Sequence, residues 1–311
     1  MSIALIQHPD CLLHDMGARH PECAQRIRAI NEKLHSTSLL SSQIHDYQAP
    51  LISKEQLLTT HKKNHVDDIF ESSPTEAHLT EIDPDTIMNA HTLTAARRAA
   101  GAVVYAVDLV MKDQHSRVFC NVRPPGHHAE YQQAMGFCFF NNIAVGVNHA
   151  LKTWSLKRIA IIDFDVHHGN GTEDIFKDEP RVLLCSTFQH PLYPYKGMET
   201  QHDHIINIPI ASGTSGTEYR SLFKQKLIPK LEAFAPQLIF ISAGFDGHKE
   251  DPLANLHLVE KDYSWITEQI KYIANKHAKG RIISSLEGGY ALSALASSVA
   301  AHIDALSSDE T

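Results

Sequence analysis

Five short apolar runs stand out along the chain, at residues 118–122, 158–162, 182–186, 238–242 and 281–285. Each is continuous rather than alternating, the signature of strands buried on both faces of a parallel sheet. Between them the apolar positions recur with helical spacing. Val259, Tyr263, Ile266, Ile270 and Ile273 fall at steps of 4, 3, 4 and 3, a stripe that predicts an amphipathic helix. Lys276, His277 and Lys279 before Gly280 supply the basic last turn and the glycine that end it. Ala24, Ile27, Ile30 and Leu34 predict an early helix, and residues 86–112 a largely buried one. Tyr219, Phe223, Leu227 and Leu231 predict another, kinked at Pro229. Strands alternating with helices of this length imply right-handed crossovers and a parallel sheet covered on both faces. No repeat or Pro/Gly/Ser-rich linker interrupts the pattern, so a single domain over residues 1–311 is expected.

The composition narrows the function classes. With 43% hydrophobic and 21% charged residues the chain is globular rather than disordered. A net charge of −8 gives no electrostatic footprint for nucleic acid or anionic lipid. No apolar run approaches the roughly 20 residues a membrane span needs, and the first ten residues lack the basic start and apolar core of a secretory signal. Five scattered cysteines without Cys-x-x-Cys spacing fit a reducing, cytoplasmic setting and read as core residues. Histidine is the anomaly, with 22 copies, several in adjacent pairs.

The histidines cluster after strands. Residues 118–122 run into RPPGHHA with His127 and His128; 158–162 into DFDVHHGNGT with Asp163, Asp165 and His167; 238–242 into AGFDGHKEDPL with Asp246 and Asp251; 281–285 into LEGGY with Tyr290. Open parallel sheets form their sites at the carboxyl ends of strands, so four strands bring His, Asp and Tyr to one edge.

Asp165 and His167, two apart on a segment expected to be extended, would point the same way. With a third carboxylate they would make a divalent-metal site that keeps one position open for water. Asp251, in a loop past a strand end and stiffened by Pro252, is the expected third ligand. Read alone, an Asp-x-His pair is as well explained by an ordinary hydrogen bond. His127 and His128 leave a rigid Pro124-Pro125-Gly126 turn, and adjacent imidazoles suit proton transfer near neutral pH. Tyr290, after Gly288-Gly289, can donate to a developing oxyanion, although a lone Gly-Gly-Tyr is more often packing. His8, His14, His61, His65, His190, His202 and His204 are read as solvated or capping residues. No P-loop, dinucleotide glycine fingerprint or Gly-x-Ser-x-Gly elbow is found.

In order and spacing, His20-Pro21-Glu22 with Arg26, RPPGHHA, GFCFFNN, DFDVHHGNGT, AGFD…EDPL and LEGGY resemble the histone deacetylase superfamily, its class II branch and bacterial relatives, over roughly residues 15 to 293. The resemblance implies a three-layer α/β/α fold on a mainly parallel, eight-stranded sheet. It implies Asp165, His167 and Asp251 as zinc ligands, His127 and His128 as tandem catalytic histidines, and Tyr290 as catalytic tyrosine. Asp163 would orient the first histidine and, with Ser186 and the backbone of Asp165 and His167, hold a structural potassium ion. Asn170 would be the partner of the second histidine, where class I enzymes carry Asp. Phe137, Gly136 and Tyr193 would line an acyl-lysine tunnel, and Arg26 would stand near an internal channel for acetate. Glu250, where a glycine is usual, would alter the rim.

The activity so implied is zinc-dependent removal of acetyl or other short acyl groups from N-ε-acyl-lysine in proteins or peptides. An acetylpolyamine amidohydrolase is the alternative within the superfamily. Leu253 weighs against it, because polyamine-preferring relatives carry glutamate at that position. An inactive acyl-lysine-binding module is disfavoured, since every chemical position is filled. Binuclear arginase-type chemistry is disfavoured because Asn170 and His248 stand where further carboxylates would be needed.

Overall fold

The structure, a computed structural model, describes residues 2–36, 38–75, 78–200 and 202–308. Its strands, in chain order, are β1 (Ile3–Gln7), β2 (Ile44–Gln48), β3 (Thr80–Asp83), β4 (Thr86–Met88), β5 (Arg117–Cys120), β6 (Ile159–Asp163), β7 (Val182–Gln189), β8 (Ile205–Ile210), β9 (Leu238–Ala243) and β10 (Ile282–Leu286). Eight of them form one sheet in the order β2-β1-β5-β10-β9-β6-β7-β8, with β3 and β4 paired separately. Every pairing in the large sheet is parallel.

The continuous apolar runs are continuous because both faces are covered. In β6, Ala160 and Ile162 join one core with Phe164, while Ile159 and Ile161 join the other. The first core is closed by helices Gln25–Ser36, Glu260–His277 and Leu292–Ser307, the second by Thr92–Met111 and Asn142–Thr153. The helix–sheet–helix sandwich is the α/β architecture that the sequence implied. In the helix Glu260–His277, Tyr263, Ile266, Ile270 and Ile273 are fully buried, each side chain contributing about 1.5–3 kcal/mol. Gly280, at φ +75°, follows this helix in a conformation that disfavours side chains.

The apolar pattern missed both sheet edges. β2 is half solvated, and β8 contains Pro209, which an edge strand tolerates because one side of its ladder is unpaired. The helix expected over 86–112 begins only at Thr92. Asn89 interrupts it, its carboxamide oxygen accepting from His91 N (3.1 Å) and Thr92 Oγ1 (2.9 Å), so that Thr86–Met88 is left as β4. No kinked helix forms at Pro229. Two helices, Gly216–Lys226 and Ile228–Phe234, meet there with Pro229 in the first turn of the second, where its missing N–H leaves no bond unmade. Among the described residues no helix is long and apolar enough to cross a membrane.

Candidate active site

Four strands that are far apart in sequence, β5, β10, β9 and β6, are consecutive in the sheet. Their carboxyl ends therefore meet, and the motifs that follow them converge. The link after β5 is fixed by Glu287, whose buried Oε2 accepts the backbone N–H of Gly126 (2.7 Å) and His127 (3.1 Å). That clamp sets the two imidazoles side by side, ring centres 4.0 Å apart. His127 Nδ1 lies 3.0 Å from Asp163 Oδ2 at the end of β6, and His128 Nδ1 lies 2.7 Å from Asn170 Oδ1.

The two histidines are electrostatically unlike. Burial disfavours charge on both, but Asp165 and Asp163 outweigh it at His127 and push its pKa up to about 10. His128 is held well below the usual histidine value by burial and by the neighbouring His127 and His167. One ring is thus suited to carry a proton and the other to accept one.

Asp165, His167 and Asp246 place one ligand atom each within 4.8 Å of one another. His167 Nδ1 is 3.2 Å from Asp165 Oδ1 and 3.1 Å from Asp246 Oδ2. Asp165 and His167 come together as expected, through a bend rather than an extended segment. Asp246 Oδ1 shapes that bend by accepting the N–H of Val166 at 2.9 Å. Gly288 lies against the cluster, where a Cβ would run into both carboxylates. The donor set, one imidazole and two carboxylates, suits a divalent ion such as zinc or ferrous iron. Burial disfavours charge on His167, but Asp165 and Asp246 outweigh it and raise the ring to about 10, while burial lifts Asp246 to about 7.

Asp251 does not take the place expected of it. Its Oδ2 accepts the N–H of Tyr290 and Ala291, and its Oδ1 that of Leu253 (3.1 Å), so it braces the Tyr290 turn and stands outside the cluster. The signal for Asp246 was available: it lies three residues past β9, whereas Asp251 lies eight past it. Arg26 lies under the tyrosine turn. It is fully buried, donating to Gly289 O (2.7 Å), Glu287 O and Glu22 Oε1 (3.0 Å), with its guanidinium 5.0 Å from the Tyr290 ring. It supports the tyrosine from beneath and is not part of the pocket lining.

A pocket of about 250 Å³ opens onto these groups. Gly136, Phe137, Tyr193 and Leu253 line it together with His127, His128, His167 and Tyr290. Gly136, at φ +56°, permits the close approach, since a Cβ there would strike the His128 ring. Leu192, Tyr195 and Asp85 are lining residues that the sequence did not single out; Asp85 stands in the turn between β3 and β4, just before the stretch expected to be helical. Glu250 is exposed and outside the lining.

Ser186 and Ser242 flank Asp163 in the sheet register, and both hydroxyls are buried without a hydrogen-bond partner. Buried orphan oxygens beside a buried carboxylate suit a monovalent cation. Of the histidines read as solvated or capping, His8 does cap a turn through Asp10 N (3.1 Å). His14, His61 and His65 are instead buried, paired through hydrogen bonds to Thr92, to Glu130 and Asn141, and to Phe139.

Residues 20–306 match the family profile described as the histone deacetylase domain. The chain belongs to the histone deacetylase family. Among relatives of this deacetylase-family chain, an uncharacterized protein of Synechocystis sp. is 36% identical over 302 residues, covering 96% of this chain and 97% of that one. Histone deacetylase 14, chloroplastic, of Arabidopsis thaliana is 36% identical over 312 residues, covering 94% and 74%. The crystal structure of the HDA15 HD domain superposes with a TM-score of 0.92 at 32% identity, covering 98% of this chain and 88% of that one. The fold is therefore the arginase/deacetylase α/β fold, and the family is one of deacetylase hydrolases that generally depend on a metal.

Proposed function

We propose that the protein is a zinc-dependent amidohydrolase that removes acetyl or other short acyl groups from N-ε-acyl-lysine. The observation that carries this reading is a narrow, mostly apolar pocket ending on an imidazole pair, a phenol and the Asp165–His167–Asp246 cluster. Zinc held by that cluster would polarise the acyl carbonyl and supply an activated water.

The chain's own residues do the rest. Phe137, Tyr193 and Leu253 exclude water around an aliphatic lysine stem and orient it. His128, neutral at Nε2 when Nδ1–H is bonded to Asn170, takes the proton of the attacking water. His127, its Nδ1 bonded to Asp163, delivers a proton to the leaving amine. The Tyr290 hydroxyl, its pKa held well above the usual value by burial, stays protonated and donates to the oxyanion. Asp163, Ser186 and the backbone of Asp165 and His167 would hold potassium. Five free cysteines and the acidic charge fit a cytoplasmic location.

The test is turnover of an acetyl-lysine peptide by purified protein before chelation, after it, and after zinc return. Activity that vanishes and comes back is expected; full activity in metal-stripped protein would overturn the assignment. One observation favours acetylpolyamines as a second reading. Asp85 places a carboxylate in the pocket lining, where a distal ammonium would find a partner despite Leu253.

A further inference from the structure

His128 is backed by an amide and not by a carboxylate, yet a carboxylate stands one step further out. Asn170 Nδ2 lies 2.7 Å from Glu130 Oε1, and Lys196 Nζ lies 2.6 Å from the same oxygen. Together with the 2.7 Å contact between His128 Nδ1 and Asn170 Oδ1, this makes a continuous chain from the imidazole to the rim loop that carries Tyr193. We propose that Glu130 is a positioning residue for His128: acting through Asn170, it selects the imidazole tautomer that leaves Nε2 free as a base. The proposal rests on the proposed role of His128 in proton transfer.

The argument is one of donors and acceptors. A carboxamide has an accepting end and a donating end, and alone it can present either to an imidazole. An ionised carboxylate only accepts. With Glu130 on one side, the Asn170 amide must turn its NH2 outward and its carbonyl toward His128. The ring nitrogen facing that carbonyl must then be the donor, so in the neutral imidazole the proton sits on Nδ1 and Nε2 is bare. Reversing the amide would set carbonyl against carboxylate and leave the buried Nδ2 without its charged acceptor, a loss on the order of that for a charge-assisted hydrogen bond.

Glu130 is itself held in place. Its N–H donates to Gln133 O at 2.9 Å, and its C=O accepts from His61 Nδ1 at 3.0 Å. His61 Nε2 accepts the N–H of Asn141 at 2.9 Å, which obliges Nδ1 to carry the proton. Burial, with His65 beside it, depresses His61 to about 3 and keeps that ring neutral. Lys196, half exposed, forms an ion pair with Glu130 and anchors that carboxylate from the rim side.

The experiment uses the full chain loaded with zinc, assayed on an acetyl-lysine peptide, with circular dichroism to confirm folding. Glu130→Ala is expected to lower kcat about tenfold with KM within about twofold, the scale for losing an outer hydrogen-bond partner in a catalytic site. Glu130→Gln keeps an acceptor for Asn170 and should retain most of kcat. In an Asn170→Ala background, Glu130→Ala should cost nothing further, because its route to His128 is already gone. Asn170→Asp sets two carboxylates in contact and should impair the enzyme; adding Glu130→Gln should restore it, with the glutamine amide donating to the new carboxylate. A Glu130→Ala loss that persists in the Asn170→Ala background, or Asn170→Asp that Glu130→Gln fails to rescue, overturns the proposal. Nitrogen-15 shifts of His128, assigned by the signal missing in His128→Gln, give a readout independent of turnover. Wild type should show Nδ1–H alone and Glu130→Ala a tautomer mixture; unchanged shifts would sink the idea. Should wild type fail to cleave the peptide, the functional reading falls while the shifts still decide this one.

Discussion

Asp251 Oδ2 accepts the backbone N–H of Tyr290 at 2.7 Å, and that of Ala291 at 3.2 Å. A residue whose sequence position suggested a metal ligand is thereby the brace of the tyrosine turn, at the start of the helix Leu292–Ser307. A carboxylate there is favoured by the unpaired N–H groups and partial positive charge of a helix start.

The first prediction separates the two aspartates. Asp246→Ala should lose both bound zinc and activity, because one of three protein ligands is removed. Asp251→Asn should keep stoichiometric zinc and lower kcat, since only the tyrosine turn is loosened. Metal analysis beside kinetics decides it, and a zinc-free Asp251→Asn paired with a zinc-replete Asp246→Ala would reverse the assignment.

Tyr290 is next. The ring is positioned by Arg26 beneath it and by Phe137, 6.0 Å away edge-on, so removing the hydroxyl alone should leave the packing intact. Tyr290→Phe is expected to lower kcat roughly 100–1,000-fold with metal content unchanged, the scale for losing one oxyanion donor. A wild-type rate would reduce Tyr290 to a packing role.

Substrate choice turns on two positions of the lining, Leu253 and Asp85. With Leu253 offering no charge, peptides should exceed N-acetylpolyamines by at least about tenfold in kcat/KM, about 1.4 kcal/mol of transition-state preference. Leu253→Glu should narrow or reverse that ratio, and Asp85→Asn should widen it by weakening whatever polyamine turnover exists. Paired kinetics on both substrates test this. If wild type prefers polyamines and Asp85→Asn abolishes the preference, the carboxylate outweighs the leucine and the second reading takes over.

Acid stability should depend on histidines outside the pocket. His302 is fully buried between Thr267 Oγ1 (2.6 Å) and Ser284 Oγ (2.9 Å), and burial pushes its pKa down to about 3, as it does for His61. Above pH about 6.5 these rings are neutral in the folded and unfolded chain alike, so their contribution is complete. Between about 6.5 and 3 the unfolded chain binds protons that the folded one refuses, so stability falls as pH falls, by at most about 1.4 kcal/mol per pH unit for each group. Thermal denaturation across this range should show Tm dropping, with a shallower slope in His302→Gln. A slope identical to wild type would remove His302 from the account.

The chain's local pattern was enough for five of the six interior strands, all but β1, and for the motifs at their ends. Runs buried on both faces, such as 159–162 and 238–241, are apolar at every position, and that demand shows in one dimension. The tandem histidines, Asp163, Asp165, His167 and Tyr290 stood out for a related reason, each lying within a few residues of a strand end or a glycine turn, whereas Asn170 came only from the family resemblance. Edge strands such as β2 and β8 carry no such demand, and their mixed residues gave no signal.

What required the fold was every relationship between segments distant in sequence. Strand order made β5, β10, β9 and β6 neighbours and so brought the loop shared by Asp246 and Asp251 to His167. The same holds for Arg26, turned under Tyr290 from 264 residues away, for Asp85 at the pocket, and for Glu130 behind Asn170. Local patterning reports what a residue is buried against on average, whereas a hydrogen bond or metal ligand depends on an atom's place to within a few tenths of an ångström. Only packed layers, with crossovers of one hand and side chains in fixed rotamers, set distances that fine.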